Sequence, residues 1–122
     1  MVQEQAALDR VFHALADPTR RAMLASLTGA ERKIGELAAP HAMSFAAASK
    51  HVRVLESAGL VRRRVEGRTH LCRIEPAPLA AATRWLRVYE TLWTDSFNAL
   101  DALLQAEDAA VLSARPAKDP AP

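Results

Sequence analysis

Cationic side chains crowd the middle of this chain, and their chemistry is that of a surface that meets phosphate. From Arg20 to Arg73 there are eleven Lys and Arg against four acids, a local charge of +7, whereas residues 1–19 carry −2 and residues 74–122 carry −3. The whole 122-residue chain sums to only +2, so the asymmetry matters more than the total. Lys and Arg that neutralise phosphates dominate nucleic-acid affinity, and a basic segment between acidic flanks has that electrostatic footprint. Two groups stand out within it. Ala46, Ala47, Ser49, Lys50 and Arg53 share one face of a helical run, and Arg62, Arg63, Arg64, Arg68 and Arg73 lie on a ribbon whose one acid is Glu66. Long cations on a projecting ribbon reach phosphates or a minor groove.

Hydrophobic periodicity supplies the scaffold for these side chains. Half the residues are hydrophobic and a quarter charged, the balance of a globular chain, and the length suits one domain. Leu8, Val11, Phe12 and Leu15 predict a first helix over residues 5–16. Asp17-Pro18 offers a cap oxygen and a proline at the first helical position, so a second helix runs to about Leu27 and ends near Thr28-Gly29. Ile34, Leu37 and Ala38 predict a short third helix over residues 34–39, stopped by Pro40, with residues 40–43 as a turn. Ser44 caps a fourth helix that buries Phe45, Ala48, Val52 and Leu55 and ends at Ala58-Gly59. Two β-like runs, 60–65 and 68–74, make a hairpin with Glu66-Gly67 at its tip.

Past Pro76 and Pro78 one long helix is predicted to about Ala106. Ala82, Leu86, Tyr89, Trp93, Ser96, Leu100 and Leu103 form a heptad seam, and Trp85, Val88 and Leu92 a second apolar stripe beside it. A domain this small covers one such face, so the other is expected to pack on a second copy, helped by the first helix. The domain is expected to span residues 1–108, with 109–122, rich in Pro and Ala, as a disordered tail. The fold class is mostly α with a two-stranded β-wing.

Helix, turn, helix and basic hairpin is the order of a winged helix-turn-helix. Four pieces in sequence carry a resemblance to a family: Leu15-Ala16-Asp17-Pro18-Thr19-Arg20-Arg21, then Glu36-Leu37-Ala38, then Ser49-Lys50-His51-Val52-Arg53-Val54-Leu55-Glu56-Ser57-Ala58-Gly59-Leu60-Val61, then Glu66-Gly67-Arg68. Over residues 8–106 the chain resembles the ArsR/SmtB repressors. The resemblance implies a homodimer through the first and last helices, with Leu8, Val11, Phe12, Leu86, Tyr89, Trp93, Leu100 and Leu103 at the interface. It implies recognition helices in successive major grooves of double-stranded DNA, on an inverted-repeat operator with half-sites about 34 to 36 Å apart. DNA contact then falls to Ser44, Ala47, Ser49, Lys50, His51 and Arg53 on the helix and to Arg64, Arg68 and Thr69 on the wing. Lys50 is the foremost base reader, since it can donate to guanine acceptors. Ala46 and Ala47 leave few other direct readers, so DNA shape is expected to contribute to specificity.

Other chemistries find little support. The family's metal sites need a cysteine pair in the third helix, where Glu36-Leu37-Ala38-Ala39-Pro40 has none, and Asp and His in the last, where residues 79–106 have no histidine. No metal and no cofactor are expected. Cys72, the only cysteine, precludes an internal disulfide and is expected to be buried beside Ile74. His51 is read as packed or hydrogen-bonded near the turn rather than as a switch. Arg20 and Arg21 could touch phosphate or pair within the fold, and Trp85, Tyr89 and Trp93 are expected to pack rather than line a ligand pocket. No small-molecule effector is identified by the residues. No nucleophile with an ordered base, phosphate loop or metal triad marks an enzyme. No signal peptide or membrane span is evident, so a cytoplasmic protein is expected. The other function weighed is a protein-interaction module with vestigial DNA binding.

Overall fold

Two of the helices begin where the sequence supplies a side-chain cap. The structure, a computed structural model, describes residues 2–114, which fall into two compact units, one reaching Trp85 and the other beginning at Leu86. Helix α1 spans Val2–Leu15 and α2 spans Pro18–Ser26. The Asp17 carboxylate Oδ2 accepts from the Arg20 backbone N–H at 3.0 Å, with Pro18 in the first turn. A two-residue strand β1, Arg32–Lys33, leads directly into α3, Ile34–Ala38, whose Glu36 side chain accepts from the Lys33 N–H at 2.8 Å.

Pro40 does stop α3, but through one 3₁₀ turn over Ala39–His41, after which Ala42 takes a left-handed φ of 50°. Helix α4 spans Phe45–Ser57, and the Ser44 Oγ accepts from the Ala47 N–H at 3.1 Å. Its far end closes in a Schellman motif. The Leu60 N–H donates to the Leu55 carbonyl at 3.0 Å, the Gly59 N–H donates to the Glu56 carbonyl at 2.9 Å, and Gly59 takes the φ of 75° that this reversal requires.

Strands β2, Val61–Glu66, and β3, Thr69–Ile74, pair antiparallel from Val61 opposite Ile74 to Glu66 opposite Thr69. The two-residue loop is therefore Gly67-Arg68, one position beyond the expected tip. Gly67 has φ 60°, which suits the first residue of such a loop and leaves Arg68 at the apex. β1 pairs with the other edge of β3, Arg32 opposite Cys72, so the sheet has three strands in the order β1-β3-β2. The sequence reading missed β1, because two residues carry no alternation.

The core of the first unit is one layer of apolar side chains from α1 to β3. Met23, Leu27, Ile34, Leu37, Leu55 and Leu60 are fully buried, as is Cys72, whose thiol burial pushes above its ordinary pKa. Among the described residues none with a polar or charged side chain is fully buried. Helix α5, Ala77–Arg87, reaches the end of this unit, where Trp85 meets Phe12 edge to face with ring centroids 5.6 Å apart.

The expected single last helix is two. Helix α6, Glu90–Ala114, starts after a break at Val88-Tyr89, two neighbouring weak helix formers, and its first backbone bond runs from the Trp93 N–H to the Tyr89 carbonyl. α6 continues through 109–114, which were expected in the tail; residues 115–122 lie outside the described residues. No helix among the described residues is long and apolar enough to cross a membrane.

The Asp17 cap carries a pH signature. The backbone hydrogen bond from Arg20 holds its carboxyl below the usual value of 3.8, so its contribution to stability is fully present above that pH and is lost as pH falls through the lowered value. Asp17→Ala should lower the thermal midpoint at pH 7, and its gap to the parent should close on acidification below 3.8. A constant gap across that range would remove the cap from the account.

Candidate nucleic-acid interface

One face of α4 is committed to the core and the other is left to solvent. Ala48, Val52 and Leu55 are wholly buried, which turns Lys50 and Arg53 outward, with Ser49 and Ala47 half-buried at the edge of the same face. Phe45, expected on the buried face, is 61% exposed, because the first residue of the helix projects beyond the core layer. The Ser44 hydroxyl already accepts the capping bond.

His51 is half-buried, and its Nδ1 lies 3.4 Å from Nη1 of Arg20. Arg20 also donates from Nε to the Ala14 carbonyl at 2.7 Å and from Nη2 to the His13 carbonyl at 3.1 Å, while Arg21 donates to the Leu15 carbonyl at 2.7 Å. These two arginines thus serve the fold. They satisfy the end carbonyls of α1, and Arg20 ties that end to α4.

The wing arginines divide likewise. Arg62 pairs with Glu75 at 2.7 Å, and Arg63 with Glu56 at 2.6 Å and with His70 Nδ1 at 3.1 Å. Arg64 is claimed by two carboxylates, Glu31 at 3.0 Å and its strand neighbour Glu66. Its hydrogen bond holds the Glu31 carboxyl below the usual range, and the two acids together raise the guanidinium's own pKa. Arg64, named from the sequence as a DNA contact, is thus already engaged at the surface. Lys50, Arg53 and Arg68, by contrast, make no ion pair or side-chain hydrogen bond with any described residue.

Helix and wing converge on one cleft. Phe45 of α4, Lys33 of β1, and Arg68 and Thr69 of the wing line a cavity of about 380 Å³. Arg53 lies on a second groove, with Asp9, Arg10 and His13 of α1. Of the residues assigned to the dimer interface, Leu8 and Phe12 are half-buried, whereas Val11 is 2% exposed and belongs to the protomer's own core. Leu86, Tyr89, Trp93, Leu100 and Leu103 are all exposed.

A short helix, a turn and a second helix with one face on the core and the other open to solvent, beside a cationic hairpin, define a winged helix-turn-helix DNA-binding protein. A helix-turn-helix domain family matches residues 15–64. The chain is 35% identical over 99 residues to the HTH-type transcriptional regulator Rv2034 of Mycobacterium tuberculosis, covering 81% of this chain and 90% of that protein. The crystal structure of the ArsR family transcriptional regulator RHA00566 superposes with a TM-score of 0.68 at 39% identity, over 74% of this chain and 93% of that one. The homodimeric winged helix-turn-helix DNA-binding domain Mb0332 of Mycobacterium bovis gives a TM-score of 0.54 at 28% identity, over 80% and 85%. The chain belongs to the ArsR family of winged helix-turn-helix transcriptional regulators, a family of DNA-binding proteins rather than enzymes.

The clamp on Arg64 is testable. Glu31→Gln removes one of its two carboxylates and should free a cation for phosphate. Affinity for duplex DNA of any sequence should rise, and the slope of log affinity against log salt should steepen by about 0.9 for each protomer bound, one phosphate contact apiece. An unchanged slope would show that Glu66 alone holds Arg64 from the DNA.

Proposed function

We propose that this regulator is a homodimeric repressor that reads an inverted-repeat operator and works without the metal sites of its family. The observation that carries the proposal is the division of its cations. Most of the basic residues of α2 and the wing are consumed by carbonyls and carboxylates, while Lys50 and Arg68 stand exposed and unpaired, the one on α4 and the other at the wing apex. Lys50 is placed to read a guanine edge, and Arg68 to hold the backbone or enter a minor groove. Arg53, Ser49 and Thr69 flank these contacts.

Two-fold symmetry is supported by the apolar surface of α6. Every described side chain from Thr83 to Ser113 is exposed, Leu92, Trp93, Phe97, Leu100 and Leu103 among them, which is more apolar surface than a monomer commonly leaves in water. A second copy would cover it, with Leu8 and Phe12 of α1 contributing. A relative of the same fold is a homodimer. Such a dimer would dock on half-sites about 34 to 36 Å apart, and one seated on an operator that overlaps a promoter would repress by occupancy. The reading without the family's metal sites rests on the sequence, which has no Cys in α3 and no His in α6 to serve as the soft or borderline ligands.

Selection from a random duplex pool tests the reading. An inverted repeat should be enriched. Lys50→Ala should then cost roughly tenfold or more on that repeat and little on random DNA, at about 1 to 3 kcal/mol for a base contact. Arg68→Ala should weaken both and lower the salt slope by about 0.9 per protomer, roughly 1.8 for the dimer. A pool without enrichment, or equal losses from Lys50→Ala on both DNAs, contradicts the proposal.

A further inference from the structure

Phe45 is an aromatic side chain for which the fold has no use. It occupies the first position of α4, is 61% exposed, and is neither in the core nor among the side chains packed on it. Exposing a ring of this size forgoes the stabilisation its burial would give. The cleft around it is cationic. Lys33 and Arg68 flank it, the one acid there, Glu36, is turned to the Lys33 backbone N–H, and the imidazole of His70 is engaged by Arg63.

An apolar ring between two cations suits an apolar target bounded by phosphates. In duplex DNA the major groove offers one such group, the thymine 5-methyl. The N-terminal residues of a recognition helix are those that meet base edges, and the Cα–Cβ bonds of a helix tilt toward that end, where Phe45 stands as the first residue of α4. Rings that wedge between stacked bases belong to minor-groove proteins, whereas this one sits on the helix that enters the major groove.

Resting on the operator-binding reading above, we propose that Phe45 is a specificity-determining residue that packs on the 5-methyl of one thymine in each half-site. It supplies apolar discrimination at a helix end where Ala46 and Ala47 offer no hydrogen bond. Ser49 and Lys50 then read by hydrogen bonding deeper along the same helix.

Deoxyuridine deletes the methyl and leaves base pairing intact, which makes the test direct. Each thymine of the selected duplex is replaced in turn, and binding of the parent protein, Phe45→Ala and Phe45→Leu is measured by fluorescence anisotropy. At one thymine per half-site the parent should lose about fourfold, the equivalent of about 0.8 kcal/mol for one buried carbon. Phe45→Ala should be indifferent to that replacement. Phe45→Leu, still apolar, should keep the sensitivity and shows that the alanine result does not come from misfolding. A parent protein indifferent at every thymine, or a Phe45→Ala variant that loses as much as the parent, overturns the inference while leaving operator binding in place. A parent protein that enriches no duplex overturns both.

Discussion

The burial of Ala48, Val52 and Leu55 against the core is the constraint on which the rest of the molecule depends. All three have no exposed surface, and in a helix of roughly 3.6 residues per turn that fixes which side chains face outward. Lys50 and Arg53 are exposed because they lie across the helical wheel from these three. The Ser44 cap and the Gly59 reversal hold the two ends of that helix, so neither its length nor its rotation is free to drift. DNA recognition by rigid docking needs a helix presented in this way, since each base contact is worth little unless its geometry is set in advance.

The second organising feature is how a strongly basic segment avoids unfolding itself. Eleven cations over fifty-four residues would repel one another, and the fold assigns most of them local partners. Arg20 and Arg21 satisfy helix-end carbonyls, Arg63 bridges α4 and the wing through Glu56, and Arg64 is shared by Glu31 and Glu66. Among the described residues five of the eleven make no side-chain hydrogen bond or ion pair: Lys33 on β1, Lys50 and Arg53 on α4, Arg68 at the wing apex and Arg73 on β3. Basic composition alone therefore overstates the binding surface, because a cation bonded within the fold is not free for phosphate.

The sequence made the architecture legible where periodicity and capping agree. The Asp17-Pro18 start, the Ser44 cap, the Gly59 stop and the buried Cys72 all appear in the structure as read, because each rests on a local rule. Other features needed long-range information. β1 is two residues long and exists only by pairing with β3, and the register that moves the wing loop to Gly67-Arg68 is set across strands. The break at Val88-Tyr89 has neither Gly nor Pro to announce it. Phe45 matched the buried period of α4, but a pattern of spacing does not tell whether a helix's first residue still lies under the core. Likewise Arg64 and Arg68 look alike in sequence, each two residues from Glu66, yet in the structure Glu66 and Glu31, thirty-three residues away, both engage Arg64 and leave Arg68 open.

Amide hydrogen exchange on the protein alone and with its selected duplex tests the central claim most directly, since it reports which backbone segments the DNA covers. Added protection should concentrate in residues 44–53 of α4 and at 67–69 of the wing. Protection confined to α6, with α4 and the wing exchanging as in the free protein, would contradict it.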